Sequence, residues 1–453
     1  MGGLLASLIS TTGALRAYER SIYVIQNNVA NADTPGFAGQ RLDLLAKPFD
    51  VYRGLAGGME SGSLISSRDA FSERNVWRQN HQLGRFSQQT RDLEAIEPVF
   101  PVARDAGIAG ALNRFFNSVS SWSVNPNDSV GRQIVLDRAG QVSRTFQADA
   151  NVLAEASSKA DRQIRAGISR INSLSIELRD LSVERRSDRR KLDDPALDSR
   201  IHQAFEELSA LADFNVIDQP DGSFTVLLGG QIPLVIGSRQ FQISAAFNSA
   251  QATIQDENGA DIGAILTQGS LKGLLETRNS LLPSYRAGLD RLAAGFADRV
   301  NQVLASGIDA GGSSPTIDLF SYDPVLGAAA TLTVNPLSPS QLAAAEPGSP
   351  GGNGTALRLA ALATSVEIDD YSFAEFYGNL GAQAGGHLAR ARSGEEIQEQ
   401  LVLQAKRLRE QQSGVSLDEE AARLVEAQRA YQANAQLFTV LNSLTETVLG
   451  LLR

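Results

Sequence analysis

The sequence predicts a mainly α protein with a small β insert: N- and C-terminal helices paired as a coiled coil, an elongated helical-bundle body, and an antiparallel β domain inserted into it. Three patterns carry this prediction. Both ends of the 453-residue chain repeat apolar residues in alternating steps of three and four, and a long central stretch keeps helical periodicity without a break. Residues 213–267 instead switch to short β-prone runs punctuated by Asp-Gly and Gly-Gly.

At the N-terminus the apolar positions are Leu8, Leu15, Tyr18, Ile22, Ile25 and Val29, with Thr11 in the one gap, while Arg16, Glu19, Arg20 and Gln26 face away. That is a narrow heptad seam. The helix should end between Asn28 and Asn31, because Asn tolerates the left-handed conformation and Pro35-Gly36 forces a turn. At the C-terminus Leu424, Ala427, Tyr431, Asn434, Phe438, Leu441, Thr445, Val448 and Leu452 repeat the pattern. Ser416 with Glu419 predicts a capping box there, and Asp418, Glu419 and Glu420 complement the positive helix end. Neither seam is broad enough to hold a helix alone in water, so the simplest partner for each end is the other.

Between the ends, residues 38–100 mix short apolar pieces with glycines, which predicts extended or irregular chain and a helix around 70–94. Asn125-Pro126-Asn127-Asp128 signals a helix start, and Val135, Val142, Phe146, Leu153, Ile164, Ile168, Ile171, Leu178 and Leu181 continue one stripe to about Arg190. Pro195 interrupts it, and Ile201, Phe205, Leu208 and Leu211 mark a second helix. After the β insert, helix resumes from Leu271 to Val300, then at 355–364 and 373–412, around a Gly/Ser/Pro-rich stretch at 306–354. The predicted organisation is therefore nested. Residues 1–45 with 414–453 form the terminal coiled coil; 46–212, 268–312 and 354–413 form the helical rod; 213–267 form the β insert; and 313–353 are a short connection.

Composition narrows the chemistry. With 41 basic against 51 acidic residues the net charge is −10, which argues against tracking nucleic-acid phosphates. No cysteine is present, so disulfides, thiolate metal sites and Cys nucleophiles are excluded. His81, His202 and His387 lie far apart and read as ordinary packed or surface imidazoles. The basic run of Arg185, Arg186, Arg189, Arg190 and Lys191 is interleaved with Glu184, Asp188, Asp193 and Asp194, which reads as a solvated helix end. Motifs for a phosphate loop, a nucleophile elbow or a zinc protease are missing. Neither a basic-then-apolar leader nor a membrane-spanning apolar run is found.

The ends also carry a resemblance. Asn27-Asn28-Val29-Ala30-Asn31 followed by Thr34-Pro35-Gly36-Phe37 resembles the N-terminal signature of the axial proteins of the bacterial flagellum, the rod, hook and hook-associated proteins. Gln428-Arg429-Ala430-Tyr431-Gln432-Ala433-Asn434-Ala435 resembles their C-terminal signature. Within that superfamily the chain is most similar to the hook-associated protein 1 family of hook-filament junction proteins. Three stretches carry this: Ser413-Gly414-Val415-Ser416-Leu417-Asp418-Glu419-Glu420, Gly269-Ser270-Leu271-Lys272-Gly273-Leu274-Leu275, and Asn353-Gly354-Thr355-Ala356-Leu357 with Asn335-Pro336 and Leu342-Ala343-Ala344-Ala345. Phe37 stands where that family favours Tyr, and Gly39 stands as an extra residue before Arg41.

The resemblance implies a structural subunit at the junction of hook and filament, extracellular, exported by the flagellar type III system and polymerised through its terminal helices. It implies no enzyme activity, cofactor or metal site, no membrane insertion, and no outer domain at 313–353. Partners would be further copies of the chain in a ring or helical assembly, the hook protein, the next hook-associated protein on the filament side, and an export chaperone. Assembly would rest on Leu8, Leu15, Tyr18, Ile22, Ile25 and Val29 against Leu424, Tyr431, Phe438, Leu441 and Val448. The motif residues implied are Asn27, Asn28, Ala30, Asn31, Thr34, Gly36 and Phe37, with Gln428, Ala430, Tyr431, Ala433 and Asn434. The rival expectations are a hook or distal-rod protein, or an exported adhesin or cell-wall hydrolase with a flagellar-like export tail.

Overall fold

The structure, a computed structural model, describes residues 2–50, 55–101, 105–188, 191–192, 194–248 and 251–450. Helix α1 (Gly2–Ala30) is closed by Asn31, whose backbone N–H reaches the Asn27 and Asn28 carbonyls and whose side chain donates to the Asn27 carbonyl at 2.9 Å. A turn through Gly36, at φ +78°, leads into a long hairpin. In it β1 (Gln40–Ala46) pairs antiparallel with β4 (Met59–Ser66), and β2 (Phe49–Asp50) with β3 (Leu55–Ala56).

Helix α2 (Ala70–Ile96) starts at Asp69, whose carboxylate accepts the Ser72 N–H at 2.7 Å. Helix α3 (Gly107–Val124) has no counterpart among the expected elements, although Ile108, Leu112, Phe115, Val119 and Trp122 step by four and three and are all buried. Helix α4 (Ser129–Ser187) begins at Asp128, which caps Val130 and Gly131, and spans roughly 90 Å at 1.5 Å per residue. Asp194 caps α5 (Pro195–Leu211) in the same way, with Pro195 in the first turn, where no N–H is needed.

The β insert is a four-stranded antiparallel meander, β5 (Phe214–Asp218), β6 (Phe224–Leu228), β7 (Ile232–Ile236) and β8 (Arg239–Gln240), followed by a ribbon of β9 (Ser244–Phe247) and β10 (Ala252–Gln255). The Asp-Gly and Gly-Gly pairs fall at its turns, with Gly222, Gly229 and Gly230 all at positive φ. Where one helix was expected from 271 to 300, there are α6 (Ser270–Glu276), a π turn over Thr277–Leu281 and α7 (Leu282–Ala305). Pro283 has no N–H to give the carbonyl four residues back, and the ladder widens just before it.

Residues 306–353 are not a loose connection. β11 (Phe320–Ser321), α8 (Ala328–Thr331) and β12 (Thr333–Val334) hold Leu319, Phe320, Ala329 and Leu332 fully inside the body. Helices α9 (Gly354–Ala361), α10 (Phe373–Ser413) and α11 (Leu417–Gly450) complete the chain; a reciprocal Ser372–Glu375 capping box starts α10.

Two hydrophobic cores result. The first joins α3, the N-terminal half of α4, α7, α9, the 319–344 segment and the first half of α10 around Phe115, Phe296 and Phe373. The second joins the rest of α4, α5, α6 and the β insert around Phe205, Phe214 and Phe224. The packing boundary thus falls inside α4, between Leu153 and Ala160, and the β strands share a core with helices instead of closing one of their own. At this crossing the side chains are polar: Gln88 donates to Asp92 at 2.8 Å, and Arg278 to Asp161 at 2.7 Å. Burial pushes the Asp92 carboxyl up to about 6, against the pull of Gln88 and Lys159.

Candidate functional site

Among the described residues no cluster of His, Asp and Glu has the arrangement of a metal site, and no helix is long and apolar enough to cross a membrane. The histidines are dispersed in packing roles. His81 is buried edge-on to Phe214, and desolvation takes its imidazole down to about 4. His202 stacks on Trp77, and His387 shares a 2.6 Å hydrogen bond with the Tyr285 hydroxyl. In the basic run, Arg185 and Arg186 lie 3.6 Å from Asp218 and Asp221, and Lys191 lies 3.1 Å from Glu184. Arg189 and Arg190 lie outside the described residues.

What the fold does build is a joint. Helices α1 and α11, from opposite ends of the sequence, lie side by side, and the β1–β4 hairpin covers a second side of α1. Gly13 faces the Met59 carbonyl so closely that a Cβ would come within 3.2 Å, and Arg20 donates to the Ser61 hydroxyl at 2.7 Å. The deepest α1 side chains are accordingly mostly small or polar, Thr11, Ala14, Ala17 and Asn28, with Ile25 the one large apolar residue among them. Leu8, Leu15, Tyr18 and Ile22 are half-buried, and Val29 is exposed. On α11, Leu424, Leu441 and Val448 are half-buried, Ala427 is buried, and Tyr431 and Phe438 are exposed.

Asn28 is the centre of the joint. Its side chain clasps the backbone of Gln40 from both sides, donating to the carbonyl at 2.8 Å and accepting the N–H at 2.9 Å, and it also donates to Glu420 at 3.2 Å. Glu420 is buried, and Arg423 donates to its other oxygen at 2.8 Å. The capping box expected at Ser416 is half formed: the Ser416 hydroxyl accepts the Glu419 N–H at 3.4 Å, while the Glu419 carboxylate turns to Arg423. Of the acidic trio read as a helix-end cluster, Glu420 is therefore the one that ties the two ends together.

The other motif residues surround this clasp. Asn27 and Asn31 close α1, and Thr34 donates to Asn31 at 3.2 Å. Gly36 sits against α5, where a Cβ would lie 3.0 Å from the Ser199 carbonyl, and its own carbonyl accepts from Arg68 at 2.6 Å. Phe37, Ala430 and Asn434 are half-buried; Ala30, Gln428 and Ala433 are exposed. Gly39, an extra residue against the resembled pattern, joins three segments: its N–H donates to the Ser413 carbonyl at 2.9 Å and its carbonyl accepts the Ser67 N–H at 2.8 Å.

Below the clasp a compact charge network fastens the joint to the second core. Arg68 reaches Glu73 at 2.5 Å and Asp198 at 2.7 Å, and Arg409 reaches Glu206 at 2.8 Å and Glu73 at 3.4 Å. Glu73 is almost fully buried, which two arginines make tolerable. Burial opposes ionisation of Glu206, but hydrogen bonds from Arg409 and Lys406 outweigh it and hold its carboxyl below the usual range. Desolvation, then Arg68, Arg185 and Arg409, keeps the neighbouring His202 neutral. Sequence analysis missed this network because its members come from residues 68–73, 198–206 and 406–409, with no local pattern.

The geometry is that of paired terminal helices locked to a long helical body. The family model for the flagellar hook-associated protein FlgK helical domain matches residues 93–320, half of the chain. This chain belongs to the FlgK family of flagellar hook-associated proteins, and as such is a structural component of the extracellular flagellum and not an enzyme. The model for the flagellar basal body rod FlgEFG protein C-terminal matches residues 409–451, which include the whole of α11.

Relatives agree. Flagellar hook-associated protein 1 of Bacillus subtilis is 24% identical, with 96% of each chain aligned. The Salmonella typhimurium protein of the same name is 25% identical over 70% of this chain, which spans 60% of that relative's length. The flagellar hook junction protein FlgK of Burkholderia pseudomallei has the same fold, with a TM-score of 0.66 at 14% identity, over 74% of this chain and 99% of that one.

Proposed function

We propose that the chain forms the junction between hook and filament by polymerising through its terminal helices, as the seam residues suggest. The observation that carries this is what α1 and α11 leave uncovered after pairing: Ile9 is 64% exposed, Tyr23 60%, Leu437 51% and Val440 54%. Apolar side chains in such number along one helical pair are stabilised when neighbouring subunits pack on them. Further copies of the chain, hook protein below and the next hook-associated protein above are the partners this surface suits. The same surface needs cover before assembly, which supports a chaperone during type III export.

Deleting the gene tests the reading. Hooks without filaments, with flagellin released into the medium, are the expected outcome. A defect in the hook or rod itself would move the protein down the axis, and normal filaments would refute a junction role.

A further inference from the structure

A groove of about 640 Å³ runs between α2 and β5. Its two walls differ in kind. One is a face of α2 carrying Arg74, Trp77, Arg78 and His81, and the other is β5, an edge strand of the four-stranded sheet, with Leu227 of β6 beside it and the Asp213 carboxylate at one end taken up by the Thr267 N–H and hydroxyl and the Gln268 N–H. Arg74 bonds only its own helix, at the Ala70 carbonyl, and neither it nor Arg78 has a salt bridge among the described residues. Three buried polar atoms in the groove's lining residues lack hydrogen-bond partners among the described residues: Trp77 Nε1, His81 Nε2 and Gln268 Oε1. Trp77 and His81 are 6% and 8% exposed, so these are strongly desolvated groups.

The spacing suits one kind of occupant. Arg74 and Arg78 are one helical turn apart, about 6 Å along α2, and side chains on one face of a strand recur every ~6.7 Å. We propose that this groove binds an extended acidic segment of another protein chain, which adds to β5 as a fifth strand and sets two carboxylates, at alternate positions, on Arg74 and Arg78. Backbone hydrogen bonds to β5 would supply the docking, and the arginines the preference for acid. This does not rest on the junction role, which would stand if the groove proved empty of function.

The absence of cysteine makes the test clean. The full chain carrying Ile217→Cys, labelled with an environment-sensitive dye at β5, is titrated with a capped peptide of alternating valine and glutamate. Saturable binding is expected, about tenfold weaker for alternating valine and lysine, and about tenfold weaker in an Arg74→Ala/Arg78→Ala chain, as for losing a charge-assisted hydrogen bond. Both arginines are exposed, so that variant should keep the parent's circular dichroism and melting temperature. A peptide N-methylated at alternate amides, with the same side chains, should not bind. The proposal is overturned by equal binding of the lysine or N-methylated peptides, by saturation with inorganic phosphate alone, or by indifference to the double substitution. Self-association of the labelled chain, abolished by that substitution, would make the occupant a second copy and overturn its assignment to a different protein.

Discussion

Asn28 is 1% exposed and satisfies three groups that no other side chain among the described residues reaches: both backbone groups of Gln40 and one oxygen of Glu420. Replacing it by Ala leaves those groups buried and unpaired, at a cost of about 2–4 kcal/mol. The loss should be local. Hydrogen exchange in α1 and α11 is expected to accelerate while α3 and α7 stay protected, and uniform protection throughout would refute the role of the clasp. A second single-residue effect is electrostatic. Desolvation pushes the Asp149 carboxyl up to about 7, and one of its oxygens is buried without a partner among the described residues. The unfolded chain gives up this proton near the ordinary value of 3.8, so between pH 4 and 7 it binds fewer protons than the folded chain and stability falls as pH rises. Asp149→Asn should therefore raise the urea midpoint at pH 8, with the gain shrinking to nothing near pH 4; a gain that grew in acid would contradict this. His81 works in the opposite sense, since an imidazole neutral down to about 4 costs stability as pH drops below 6.5.

At the scale of elements, α4 is what makes two cores behave as one body. Its first half is anchored by Val135, Val142 and Phe146, its second by Ile164, Ile171 and Leu178, and the crossing between them carries exposed Ser158 and Lys159. Ser158→Pro removes a ladder bond at a surface position and costs about 3 kcal/mol without touching either core. Calorimetry should then resolve two separated transitions where the parent shows closer ones. If the variant melts in the parent's pattern at a lower temperature, the cores are coupled through α2 and α10 instead.

For the whole molecule, the joint and the exposed seam divide the work. The joint fixes the terminal pair to the body, and the exposed side chains are left for neighbours. Phe438 is 36% exposed, so Phe438→Asp should cost the monomer no more than about 1–2 kcal/mol, the partial burial against the terminal pair that it loses. In cells the same change should abolish filament attachment to hooks; motile cells with normal filaments would rule Phe438 out as an assembly contact.

The two ends were legible in sequence because a seam is a local periodicity: heptad steps, Asn at a helix end and acid at a helix start need only neighbouring residues to act. The β insert was legible for the same reason, through Asp221-Gly222 and Gly229-Gly230. Helix α3 carried an equally regular pattern from Ile108 to Trp122 and could have been found. The rest needed the fold. Thr11, Ala14 and Ala17 are buried because two elements press on α1, and small side chains carry no hydrophobic signal of their own. The 319–344 segment looked like a linker because Gly, Ser and Pro set its composition, yet a few apolar residues bury it in the first core. Glu420, Gly39 and the network around Glu73 took their roles from partners hundreds of residues away. Sequence determined where the terminal helices, the long central helix and the β insert lie and that the ends belong together; tertiary structure decided which side chains are buried, because burial depends on everything that packs against a face and periodicity reports only that the face exists.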